Sequence, residues 1–212
     1  MVAKNLPKAG FTLAKIAVGG VVLIGLGAAT LAYAQTKPLQ TVDKVQLDRY
    51  LGVWYEIARK PMYFENKCSR DITATYTLNE NGNVSVTNRC LSKDGQLQQS
   101  IGEAFVQNAP FNTKLKVSFL PEAIRWLSVA RGDYWILKID DDYQTVLVGE
   151  PRRKYMWVLS RSAQPDQAVV NEYLEYAKSV GYNLTDLIHT KQTFVHHPVV
   201  LKIGYKNTEH QK

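Results

Sequence analysis

Several chemistries are missing from this sequence. No serine sits in a Gly-x-Ser-x-Gly setting and no phosphate-cradling loop is present, which removes two large classes of enzyme. The histidines, His189, His196, His197 and His210, all fall at the C-terminal end. Adjacent His196 and His197 do not make a preformed site, and the ligand spacing of structural metal sites is absent, so neither metal nor cofactor is expected. Charge is thin. Removing the three lysines of the first 34 residues leaves 23 basic against 19 acidic side chains. With no dense basic stripe or stacking motif, nucleic acid is not an expected partner. Cysteine is scarce too: Cys68 and Cys90 are the whole supply. Two readings stay open for them, a disulfide formed after export or two buried thiols. A disulfide would remove the last candidate thiolate nucleophile.

Long apolar runs are equally rare. Ile16 to Leu31 is apolar and Gly-rich but short for a membrane span. Lys4, Lys8 and Lys15 precede or enter it, and Ala32-Tyr33-Ala34 reads as a cleavage site before Gln35. Residues 1–34 therefore read as a signal peptide, with an uncleaved anchor as the alternative. Residues 35–44 read as a flexible leader, 45–194 as one folded domain and 195–212 as an additional tail.

What is present is a series of short alternating runs. Leu47–Pro61, LDRYLGVWYEIARKP, opens with a short helical turn and passes through Gly52-Val53-Trp54 into a strand ended by Pro61. Alternation puts Trp54, Glu56 and Ala58 on one face. Runs at 70–78 and 83–91 flank Asn79-Glu80-Asn81-Gly82, a strong hairpin signal. Further strands are expected near 97–107, 114–120, 133–139, 143–149 and 155–161. Eight antiparallel strands with mostly short turns make a mainly β fold, an up-and-down barrel with room for one small ligand. Pro165–Val180 carries Val169, Val170, Tyr173, Leu174 and Ala177 at helical spacing, with Gly181 as a stop. This helix is expected to pack outside the barrel, and a short strand near 187–194 follows.

Gly52-Val53-Trp54, then Asp140-Asp141-Asp142-Tyr143, then strand-ending Arg161 form an ordered set. Together with LGVWYEIAR, ATYTLNENG, LKVSF, DYWILKID, DYQTVLVGEP and WVLSR, they resemble the lipocalin family over about 42–193. The likeness is to its bacterial outer-membrane branch, to apolipoprotein D and to plant temperature-induced lipocalins. It implies that Gly52, Trp54, Asp142, Tyr143 and Arg161 close one end, with the Arg161 guanidinium across the Trp54 ring. It also implies a non-enzymatic carrier of a fatty acid or lysophospholipid, serving envelope lipid storage, transport or repair. The alternatives are a lipocalin-fold enzyme, for which Glu56 would be the buried acid, and a membrane-tethered interaction protein. The bacterial relatives carry lipid on a cysteine at the cleavage site. None stands there here, so a periplasmic, outer-membrane-associated or secreted protein without that anchor is expected.

Strand parity gives the expected lining: Glu56, Ala58, Ala74, Tyr76, Asn88, Val117, Phe119, Trp135, Leu137, Val146, Tyr155 and Trp157. The opposite rim is the mouth. Cys68 and Cys90 fall there, and so do Arg125, Trp126, Arg152, Arg153 and Lys154, a candidate patch for an anionic membrane surface.

Overall fold

The computed structural model describes residues 37–193. The expected signal or anchor and the additional tail lie outside the described residues. The strands are β1 Gly52–Arg59, β2 Arg70–Leu78, β3 Val84–Leu91, β4 Leu97–Val106, β5 Lys114–Ser118, β6 Gly132–Ile139, β7 Thr145–Gly149, β8 Met156–Ser160 and β9 Ile188–His189. Each of β1–β8 pairs antiparallel with its neighbour in sequence, and β1 also pairs with β8, so eight strands close into a barrel. The short helix α1, Leu47–Tyr50, plugs one end, and α2, Gln167–Ser179, lies outside.

Local chemistry explains these limits. Gly82, at φ +81°, completes the β2–β3 turn in a conformation most side chains resist. Asp166 caps α2 by accepting from the Ala168 N–H. Gly181, at φ +96°, ends it with an N–H bond to the Lys178 carbonyl.

Two cores result. The barrel interior gathers Val45, Tyr50, Trp54, Tyr76, Val84, Val86, Ala104, Leu115, Ile136, Val146, Val148 and Leu159. A second layer, outside the wall, buries Ile57, Leu147, Met156 and Val158 against Val170, Tyr173, Leu174 and Ala177 of α2.

The outer layer corrects three facings. Ala58 and Leu137 are buried in it, and Trp135 packs against it, so none of the three lines the cavity. In β1 a register shift between Glu56 and Ala58 puts Ile57 and Ala58 both outward. Arg59 then returns to face Trp157 across the β1–β8 ladder. In β6 the inward residues are Tyr134 and Ile136, and a second shift before Lys138 brings Ile139 back inside. Because α2 covers the outer surface of this sector, both faces of β6 are apolar and alternation loses its contrast.

The mouth half of the β1–β2 seam is not closed by those two strands. Their pairing runs only from Gly52 to Tyr55. Beyond it, residues 188–193 fill the gap: β9 pairs with Ala58 and Arg59, and Lys191 bridges to Arg70. The Gln192 amide donates to the Glu56 and Ile72 carbonyls, and Thr193 bonds Asp71. At the other terminus, the Lys37 carbonyl accepts from Arg153 beside the mouth. The chain then runs past Ile136 (Val42 N–H to its carbonyl, 3.0 Å) to Phe111 at the opposite end (Val45 N–H, 2.8 Å).

Candidate functional site

The sealed end is built around Arg161. Its guanidinium carbon stands 3.9 Å from the centre of the Trp54 ring. Its N–H groups donate to the carbonyls of Val53 (2.7 Å), Arg49 (2.8 Å) and Leu51 (2.8 Å). The Trp54 indole N–H donates to the Tyr50 carbonyl at 2.8 Å. Gly52, at φ +93°, is needed here twice over: a Cβ would sit 3.3 Å from the Arg161 Nη1. Tyr143 accepts from the Gln46 N–H through its hydroxyl, under the Arg49 guanidinium. The carboxylate that organises this turn is Asp140, which accepts from the N–H groups of Asp142, Gln144 and Thr145, whereas Asp142 is exposed.

Above the Trp54 floor, three tyrosines share one hydrogen-bonded group. The Tyr134 hydroxyl lies 2.7 Å from that of Tyr50 and 2.9 Å from that of Tyr76. Burial raises the Tyr76 pKa to about 12 and pushes Tyr50 and Tyr134 well above the usual tyrosine value. The rings run on through Tyr134 to Trp157, 6.4 Å away. A cavity of about 10 Å³ remains beside the trio, lined by Leu51, Val84, Ala104, Leu115, Val117 and Ile136 among others. That is room for about one water molecule. A larger hollow, about 270 Å³, is an open cleft outside the sealed end, between Lys44, Arg49, Asp140 and Asp141.

Toward the mouth the interior turns polar. Glu56 and Arg59 are 3% and 6% exposed. The Arg59 Nε lies 3.1 Å from Glu56 Oε1 and 3.2 Å from Glu65 Oε2. Glu65 comes from a single 3-10 turn, Tyr63–Glu65, in the loop after β1. The Trp157 side chain stands beside the Glu65 carboxylate and favours its charged form. Glu56 accepts from the Thr190 hydroxyl on the seam segment. Desolvation raises the Glu56 pKa to about 8; repulsion from Glu65 adds to this, while Thr190 and Arg59 oppose it. Desolvation raises Glu65 as well, against Arg59 and Trp157. Lys60, the next residue, faces away and is held by Asp186 and the Asn183 carbonyl.

Of the expected lining, Glu56, Ala74, Tyr76, Val117, Val146 and Trp157 share the interior, and Asn88 continues the inner row of Val84 and Val86 on β3. Tyr155 precedes β8 at the mouth, beside the Lys154 ammonium. Phe119 lies past the end of β5, half exposed, with its ring over Gly102; a Cβ on Gly102 would fall 2.7 Å from that ring. Tyr50, Tyr134, Arg59 and Glu65 are the residues that strand parity missed. Cys68 and Cys90 form a disulfide with Cα atoms 5.5 Å apart, tying the loop that carries Glu65 to β3.

At the rim, Trp126 is 71% and Val129 92% exposed, in the same loop as exposed Ile124. Arg152 and Lys154 are exposed. Arg153 donates to the Val180 carbonyl, and Arg125 to the carbonyls of Leu120 and Ile101, so these two are spent on holding loops.

A family model described as "Lipocalin-like domain" matches residues 45–192. Temperature-induced lipocalin-1 of Arabidopsis thaliana is 38% identical over 161 residues, 75% of this chain and 86% of that protein. Outer membrane lipoprotein Blc of Escherichia coli K12 is 36% identical over 152 residues, 71% of this chain and 81% of that protein. Among solved structures, insecticyanin from the tobacco hornworm Manduca sexta superposes with a TM-score of 0.55 at 19% identity, covering 74% of this chain and 85% of that one. At that identity the likeness shows the fold alone.

Proposed function

The chain belongs to the lipocalin family, and from that premise we propose that it binds and carries a single-chain lipid, a fatty acid or lysophospholipid, in the bacterial envelope. One observation carries the reading: beside the sealed end the interior is walled by apolar and aromatic side chains whose tyrosine hydroxyls bond one another, and the buried charged groups, Glu56, Arg59 and Glu65, stand toward the mouth. That gradient matches an amphiphile lying with its tail inward. The residual cavity of about 10 Å³ does not admit an alkyl chain as it stands. A chain reaching that depth therefore requires the side chains around it to move, and a lipid should change the tryptophan fluorescence of Trp54 and Trp157. Native mass spectrometry of the purified protein, with extraction of whatever travels with it, tests the assignment. A protein free of lipid, and unable to take up dodecanoate or lysophosphatidylcholine, would overturn it.

Transport rather than turnover is the reading for Glu56, because its carboxyl is engaged by Thr190 and Arg59. Lipid recovered unchanged after incubation supports this; a converted product would favour an enzyme. The same proposal extends to the rim. The apolar loop around Trp126, flanked by Arg152 and Lys154, suits contact with an anionic bilayer. Flotation with anionic vesicles should fall with rising salt. It should fall too in Trp126→Ser and in the Arg152→Ser/Lys154→Ser pair. Equal flotation with zwitterionic vesicles would refute the contact. Export is part of the proposal, and intact mass distinguishes a chain beginning at Gln35 from one retaining residues 1–34 or carrying added acyl groups.

A further inference from the structure

We propose that Arg59 and the Trp157 indole N–H form an anion site at the neck of the barrel, filled here by the Glu65 carboxylate and taken over on binding by an anionic lipid head group, carboxylate or phosphate. This rests on the lipid-binding reading and names the chemistry that would select the lipid.

The site has two fixed donors and a removable acceptor. Arg59 and Trp157 stand opposite each other on paired strands, β1 and β8, so both are set by the barrel wall. Glu65 belongs to no strand. It is delivered by one turn between Pro61 and the Cys68–Cys90 disulfide. Its placement resembles that of a ligand head: a carboxylate entering from the mouth, 3.2 Å from the Arg59 Nε and beside the Trp157 side chain.

The internal pairing is also imperfect. Arg59 Nε is close to both glutamates, at 3.1 and 3.2 Å, yet neither contact lies along its N–H, and Arg59 Nε and Glu65 Oε2 are both buried without an aligned hydrogen bond. Asn88, on the inner row of β3, carries a buried side-chain oxygen with no hydrogen-bond partner among the described residues. Polar groups this dry ordinarily have their partners satisfied.

Charge is conserved in the exchange. Burial favours the neutral form of Glu56, which leaves Arg59 with Glu65 as its counter-charge. An incoming anion that displaces Glu65 toward the mouth restores one cation facing one anion. Lys60 takes no part, being held by Asp186 on the outside. A neutral chain of the same length would leave Glu65 in place and gain only apolar burial.

The test is calorimetric titration of the purified protein with dodecanoate, dodecyl phosphate and dodecanol. Both anions should bind about tenfold or more tightly than dodecanol, the scale of one charge-assisted hydrogen bond. Arg59→Gln should abolish that preference while dodecanol binds as before. Glu65→Gln should tighten both anions several-fold, since the internal competitor is gone, and leave dodecanol unchanged. Trp157→Phe, which removes the N–H and keeps a ring, should lose part of the preference. If Arg59→Gln fails to fold, Glu65→Gln decides alone. A preference for dodecanoate over dodecyl phosphate would name a fatty acid as the source of the head group, and the reverse a lysophospholipid. Inorganic phosphate binding as well as dodecyl phosphate would overturn the proposal, because the tail would be idle. So would an anion preference that survives in folded Arg59→Gln, or the absence of tightening in Glu65→Gln. If wild type binds dodecanol but shows no preference, the anion site fails and the lipid-binding reading stands. If it binds none of the three, both fall.

Discussion

Removing one oxygen atom, by Tyr134→Phe, should destabilise this protein more than the same change at either partner. Tyr134 is the middle member of the trio, bonded at 2.7 Å to Tyr50 and at 2.9 Å to Tyr76. Its loss deletes two hydrogen bonds and leaves two buried hydroxyls without them. At ~1 kcal/mol net for each bond, the expected cost is ~2 kcal/mol, against ~1 kcal/mol for Tyr50→Phe or Tyr76→Phe. In a Tyr50→Phe/Tyr76→Phe background the central hydroxyl has neither partner, so removing it should cost nothing or stabilise slightly. Urea midpoints at constant slope measure all of these, and the cycle isolates the coupling. The trio also predicts an alkaline limb. Its members ionise less readily folded than unfolded, so stability is full below the unfolded tyrosine value near 10 and is lost as pH climbs above it, through about 12 for Tyr76. In the triple Phe variant that limb should shrink. If Tyr134→Phe costs the same in wild type and in the doubly substituted background, the three hydroxyls do not act as one group and the reasoning is wrong.

Three further outcomes are expected. Trp54→Ala should cost ~3–5 kcal/mol in denaturant unfolding, as for a large buried aromatic, and Arg161→Ala less but measurably. Glu56→Gln should stabilise at high pH and not at low: the folded carboxyl titrates near 8 against an ordinary 4.5, so wild-type stability declines as pH rises between those values while the amide is indifferent. Thermal midpoints at pH 5 and pH 8.5 read the difference, and a constant difference would refute it. Opening the Cys68–Cys90 bridge, which spans 22 residues, should cost ~3 kcal/mol in unfolding under reducing conditions.

How far the sequence could be read depended on what lies outside each strand. β2 and β3 alternate against water, and there Ala74, Tyr76, Val84 and Val86 could be faced from their spacing. The turn at Asn81-Gly82 fixed their partnership. β6 is apolar on both faces because α2 covers its outer one, so parity assigned Trp135 and Leu137 to the lining where Tyr134 and Ile136 stand. Arg59, at the end of β1, could not be faced from spacing because a one-residue bulge leaves no mark in it; the structure buries both Arg59 and Lys60. Glu65 was illegible for a different reason. It reaches the neck from a loop, and no local periodicity records a partner that the chain meets only after folding.

The seam at the mouth has a consequence for how the wall can open. Over its upper half β1 and β2 are joined through residues 188–193, which hold Arg59, Arg70, Ile72 and Asp71 by a few bonds. That strip can be withdrawn without breaking any pairing among β1–β8, so loosening it, for example by Gln192→Leu, should widen the entrance and leave the plugged base shut.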